Sequence, residues 1–124
     1  MPTNPPDDFR ERAFRFTCKL YDYCDDLARS PGPSRRLANQ LFDRQLDRRE
    51  PRGVTICARR KDLAAKTAIS LKESHETKYW LRVANTKSLG DETLRGWLLQ
   101  ESDEFVAMLT VSVRRLQTEP DPRL

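Results

Sequence analysis

Phe9, Ala13, Phe16, Leu20, Tyr23 and Leu27 recur at alternating steps of four and three. That spacing marks one face of an α-helix, and Arg10, Arg12, Arg15, Lys19, Asp22 and Asp26 fall off it. The pattern predicts a first helix from Asp8 to about Arg29, capped by Asp7 or Asp8 through a carboxylate that accepts from the free N–H groups of the first turn. Pro2, Pro5 and Pro6 make residues 1–7 an expected disordered leader. Ser30-Pro31-Gly32-Pro33 ends the helix, because two prolines and a glycine do not continue its hydrogen-bond ladder.

Ser34 is the expected N-cap of a second helix whose apolar positions are Leu37, Ala38, Leu41 and Phe42. The pattern decays after Phe42, and Pro51 and Gly53 follow, so this helix should stop near Arg49 and leave Glu50 to Cys57 irregular or only partly helical. A third helix is expected from about Arg59 to Ala84. Leu63, Ala64, Ala68, Leu71, His75 and Tyr79 trace one face, broadened by Ile69, Trp80 and Val83. Ser88-Leu89-Gly90-Asp91 reads as a turn with Asp91 as the next cap. The fourth helix then carries Leu94, Trp97, Leu98, Phe105, Met108, Leu109, Val113 and Leu116. A disordered tail is expected from Thr118. Only Val54-Thr55-Ile56 has strand character, too short to build a sheet. The expected fold is all-α, an antiparallel up-down-up-down four-helix bundle over residues 8–117, with the second half of helix two disrupted.

The length of 124 residues fits one domain, and no stretch approaches the roughly 18 apolar residues of a membrane span. The start lacks a signal peptide's basic and apolar regions, so a cytoplasmic protein is expected. Cys18, Cys24 and Cys57 are odd in number, lack C-x-x-C spacing and read as reduced thiols. The net charge of +4 is unevenly spread: residues 29–61 hold ten Lys/Arg against Asp43, Asp47 and Glu50, a local +7, which leaves −3 on the rest. Such a block attracts phosphates through counterion release, or it is simply a solvated face. Arg outnumbers Lys seventeen to six, which suits bidentate phosphate contacts.

Catalytic chemistry finds no foothold. His75 is the single histidine, and Glu73-Ser74-His75-Glu76 supplies neither the Glu-x-x-His pair of a di-iron bundle nor the second histidine of H-E-x-x-H. No glycine-rich phosphate loop and no G-x-S-x-G elbow is present. A non-enzyme with no metal, no cofactor and no small-molecule substrate is expected. The segment from Lys72 to Arg82 mixes charge with Tyr79 and Trp80; those two and Trp97 are candidate core or oligomer anchors.

Leu37-Ala38-Asn39-Gln40-Leu41, Arg60-Lys61-Asp62-Leu63, the run from Lys66 to Arg82 and Glu104 to Leu109 resemble the four helix bundle protein family, also called the 23S rRNA intervening-sequence protein family. Its members read like K-x-x-I-A-L-K-E-A-x-E-T-x-Y-W-L-R through helix three. The resemblance covers helices one, three, four and early helix two. It implies a small cytoplasmic bacterial protein without established enzyme activity, a homopentameric barrel, and RNA contact by analogy with a similar accessory protein of diversity-generating retroelements. One segment departs from it: Leu46 to Gly53 stand where members carry something like S-I-G-A-N-x-E-E. A codon run for those residues, CTC GAT CGG CGC GAA CCT CGA GGA, read one nucleotide later spells S-I-G-A-N-L-E. Compensating frame changes between Phe42 and about Cys57 are therefore expected, and they would make the basic block partly an accident of frame.

The expected function is a self-associating scaffold associated with RNA. Arg35, Arg36, Arg44, Arg48, Arg49, Arg52, Arg59 and Arg60 would contact phosphates without reading sequence. Two alternatives stand beside it: a protein-interaction subunit that binds no nucleic acid, and a degraded family member with no retained function.

Overall fold

The prolines at 5 and 6 begin the first helix rather than precede it. A proline in a first turn lacks only an N–H that would have no intrahelical partner, and its fixed φ suits the helix. The computed structural model describes residues 5–46 and 60–118. Its helices are α1 Pro5–Ala28, α2 Pro33–Leu46, α3 Arg60–Thr86 and α4 Glu92–Thr118, with no strand among the described residues. Residues 5–7, expected in the leader, thus belong to α1. Residues 1–4, the tail beyond Thr118, and residues 47–59 with their expected irregular stretch and frame change lie outside the described residues.

Neighbouring helices pack in a ring, α1 on α2, α2 on α3, α3 on α4 and α4 on α1, while the diagonal pairs keep their backbones apart. This is the up-down-up-down bundle read from the sequence. The core joins Phe16, Leu20, Tyr23, Cys24 and Leu27 of α1 to Leu37, Ala38 and Leu41 of α2, Leu81 and Ala84 of α3, and Leu98 and Phe105 of α4. Phe105 meets Phe9 and Phe16 edge-on, each at 5.5 Å between ring centroids. At 1.5 Å per residue, the 24-residue α1 runs about 36 Å, whereas the 14 residues of α2 run about 21 Å. Part of α1 therefore extends past the described α2.

Two findings concern helix ends and faces. Ser34 is not the cap of α2: the Arg36 N–H donates to the Gly32 carbonyl at 3.1 Å, so Gly32 at φ +90° holds that position and Pro33 is the first helical residue. The apolar spacing of α3 leaves its inward face open, and the structure assigns it: Leu63, Ile69, His75 and Tyr79 are exposed, Ala64, Ala68, Leu71 and Trp80 are half-buried, and the buried positions are Thr77, Leu81 and Ala84, continuing a row of steps three and four from Ser70 and Ser74. Small hydroxyl residues look solvent-facing in a sequence, yet here Ser70, Ser74 and Thr77 face inward and line a pocket beside α4, the most extensive partner of α3.

The α3–α4 turn is built tightly. The Leu89 N–H donates to the Ala84 carbonyl at 2.9 Å and the Ser88 N–H to that of Asn85 at 3.2 Å, the paired bonds of a Schellman end with Ser88 at φ 56°. Gly90 follows at φ +74°, pressed against Tyr23 and Leu27. Asp91 caps α4 as expected, accepting from the Leu94 N–H at 2.9 Å.

Candidate functional site

The outer face of α1 is the surface that packing leaves unexplained. The helix turns Phe16, Leu20, Tyr23 and Leu27 inward, so residues half a turn away must face water. Among them stand Phe14, 66% exposed, and Tyr21, 57% exposed, one on each side of exposed Cys18. Exposed Arg10 and Arg15 lie toward the N-terminal end of this row, and exposed Asp22 and Asp25 toward the other. Asp25 pairs with Arg29 at 3.1 Å, an exposed i,i+4 contact of small energetic weight. Beside Tyr21 a shallow groove of about 170 Å³ runs between α1 and α2, lined by Cys24, Asp25, Ala28, Ala38 and Asn39. An aromatic row, a groove next to it and opposite charges at its two ends form a surface able to receive another helix.

The expected phosphate-binding arginines are only partly brought together. Arg35 and Arg36 are exposed in the first turn of α2. Arg35 is already engaged, donating from Nε at 3.2 Å and Nη2 at 3.1 Å to the Ala28 carbonyl at the end of α1. Arg44 lies on α2 and Arg60 opens α3, while Arg48, Arg49, Arg52 and Arg59 fall outside the described residues.

The aromatic anchors separate. Trp97 is half-buried, stacked on Phe16 at 6.4 Å with the Lys19 ammonium 5.8 Å from its ring, so it belongs to the bundle. Trp80 packs against the core from its edge. Tyr79 meets Trp80 edge-on at 5.0 Å and is 56% exposed, which makes it a surface residue rather than a core one.

Sequence reasoning missed three polar groups that hold the bundle. Buried Arg95 donates from Nε to Asn85 Oδ1 at 2.9 Å, and from Nη1 to the carbonyls of Leu89 at 2.8 Å and Gly90 at 3.1 Å. The Tyr23 hydroxyl donates to the same Leu89 carbonyl at 2.7 Å; burial pushes its pKa up to about 12 against the pull of Arg95. The available signal was spacing: Arg95, Leu98, Ser102 and Phe105 step three, four, three along α4. On the bundle's side, Arg12 clamps α1 to α4. It donates from Nε and Nη2 to Glu101 at 3.3 and 2.9 Å and from Nη2 to Glu104, with its guanidinium 5.5 Å from the Phe105 ring centroid. The bond to Glu101 raises the pKa of Arg12 further. Hydrogen bonds from Gln100 and Arg12 hold the Glu104 carboxyl below its usual range.

No group of His, Cys, Asp and Glu among the described residues could hold a metal ion. No helix among them is long and apolar enough to cross a membrane. Compared with known proteins, the chain matches no family model, no curated protein and no solved structure.

Proposed function

We propose that this bundle is a non-catalytic scaffold that self-associates through the outer face of α1. The observation that carries the reading is the pair of exposed rings, Phe14 and Tyr21, set beside a groove and flanked by opposite charges. A second copy of the chain satisfies all three features at once. In an antiparallel pairing of α1 helices, the register that sets Phe14 of one copy beside Tyr21 of the other also sets Arg10 beside Asp25, and both contacts occur twice. Such self-complementary surfaces are what two-fold assembly requires. Phe14 then enters the groove next to Tyr21.

The charges provide the test. Light scattering at micromolar concentration should give more than the 14.5 kDa of one chain. Arg10→Asp and Asp25→Arg should each lower the mass, and the two together should restore it. A mass of two chains supports the antiparallel pairing; a mass of five, as in the ring implied by the family resemblance, needs two different faces on each copy and overturns the pairing of α1 with α1. A single-chain mass for the unaltered protein overturns self-association.

RNA contact is the second part of the reading, supported by the exposed Arg29, Arg35 and Arg36 at the corner between α1 and α2. Binding there would be electrostatic, so three phosphate contacts predict an RNA affinity that falls about twenty- to fortyfold between about 50 and 200 mM salt. No RNA affinity at low salt would leave a protein-interaction subunit.

A further inference from the structure

Away from the face just described, α1, α3 and α4 line a pocket of about 170 Å³ that is partly open to solvent. One side of its wall is aromatic and apolar, formed by Phe9, Phe16, Phe105 and Leu109, while Thr17, Ser70, Glu73 and Ser74 make its other side polar. Between the two lie the hydroxyls of Thr77 on α3 and Ser102 on the neighbouring α4. Each residue is only 3% exposed, and neither side-chain oxygen has a hydrogen-bond partner. Buried polar atoms are nearly always satisfied, and leaving one unsatisfied is destabilising. Two in one small space call for a shared partner.

The size and lining restrict what that partner is. Apolar cavities of about 150 Å³ take up a molecule of benzene's size. Three phenyl rings favour an aromatic guest in edge or offset contact. Thr77 and Ser102 each donate one hydrogen bond and accept others, so a single guest hydroxyl can accept from one and donate to the other. We infer that this cavity is a binding site for a small hydroxylated aromatic molecule of the phenol class, its ring among Phe9, Phe16 and Phe105 and its hydroxyl between Thr77 and Ser102. A water cluster would satisfy the hydroxyls but waste the aromatic wall, and a pure hydrocarbon would do the reverse.

Calorimetric titration of the full chain with phenol and with toluene tests this directly. Phenol should bind saturably with Kd below about 1 mM, well within the ceiling for seven heavy atoms. A Thr77→Val/Ser102→Ala variant removes the hydroxyls while keeping the shape and leaves no polar atom stranded, so it should fold. It should bind phenol about tenfold more weakly, the size of a lost hydrogen bond or two, and toluene at least as well as before. Ala13→Leu, which projects into the same space, should weaken both ligands. Absence of saturable phenol binding, or phenol affinity unchanged by removing both hydroxyls, overturns the proposal.

Discussion

Three glycines occupy three different environments, and alanine at each should have a different effect. At Gly90 an added Cβ would lie 2.7 Å from Tyr23 Cε1 and 2.9 Å from Leu27 Cδ2, and both partners are fully buried side chains that cannot swing aside. The backbone there has φ +74°. An L-residue in that region costs about 1–2 kcal/mol, and overpacking a filled core adds about 1–3 kcal/mol. Reduced freedom of the unfolded chain returns up to about 1 kcal/mol. Gly90→Ala should therefore lose about 3 kcal/mol, on the order of 10 °C in Tm for a domain this size. At Gly32, φ is +90° but an added Cβ would meet no atom within 4 Å, so only the conformational cost of about 1 kcal/mol applies. Gly96 lies inside α4 with open space around it, and Gly96→Ala should gain about 0.5–1 kcal/mol. Urea melts of the three variants read the order. If Gly90→Ala matches the unaltered protein, or if Gly32→Ala is equally damaging, the turn does not pack against Tyr23 as described.

The remaining expectations concern single groups. Burial raises the Cys24 thiol from 9.0 to about 12, so its contribution to stability is fully present below pH 9 and is lost as pH climbs toward 12; denaturation midpoints should fall across that window, less steeply in Cys24→Ala. In a Cys57→Ser background, a thiol reagent should label exposed Cys18 at once and buried Cys24 only on unfolding, and equal rates would contradict the inward turn of α1. Trp80→Ala should destabilise by about 2 kcal/mol or more, less than a fully buried tryptophan because the ring is only partly buried against the core. Tyr79→Ala should stay within about 0.5 kcal/mol, and a reversal of that order in thermal melts would place the wrong aromatic against the core.

Where large apolar residues kept helical spacing, the sequence was legible. The α1 row from Phe9 to Leu27 faces the core as read, and Asp91 caps α4 because a carboxylate before a helix has few better uses. In α3 the same rule does not decide the inward face, since Ile69 and Tyr79 are large and apolar yet exposed, while the inward row is Ser70, Ser74, Thr77, Leu81 and Ala84. Hydrophobicity alone does not distinguish a hydroxyl that faces water from one that lines a cavity. Arg95 was hidden for a related reason: a guanidinium reads as surface until the turn's carbonyls and Asn85 are placed around it. The outer face of α1 was passed over because Phe14 and Tyr21 lie off the core stripe, where isolated apolar residues attract no notice.

The central claim is that the exposed rings of α1 are a contact between copies of this chain. Sedimentation equilibrium of the unaltered protein beside a Phe14→Ser/Tyr21→Ser variant tests it most directly, with helicity compared by circular dichroism. The expected result is a multiple of 14.5 kDa for the unaltered chain and a single-chain mass for the variant, both equally helical. Equal masses for the two proteins would contradict the claim.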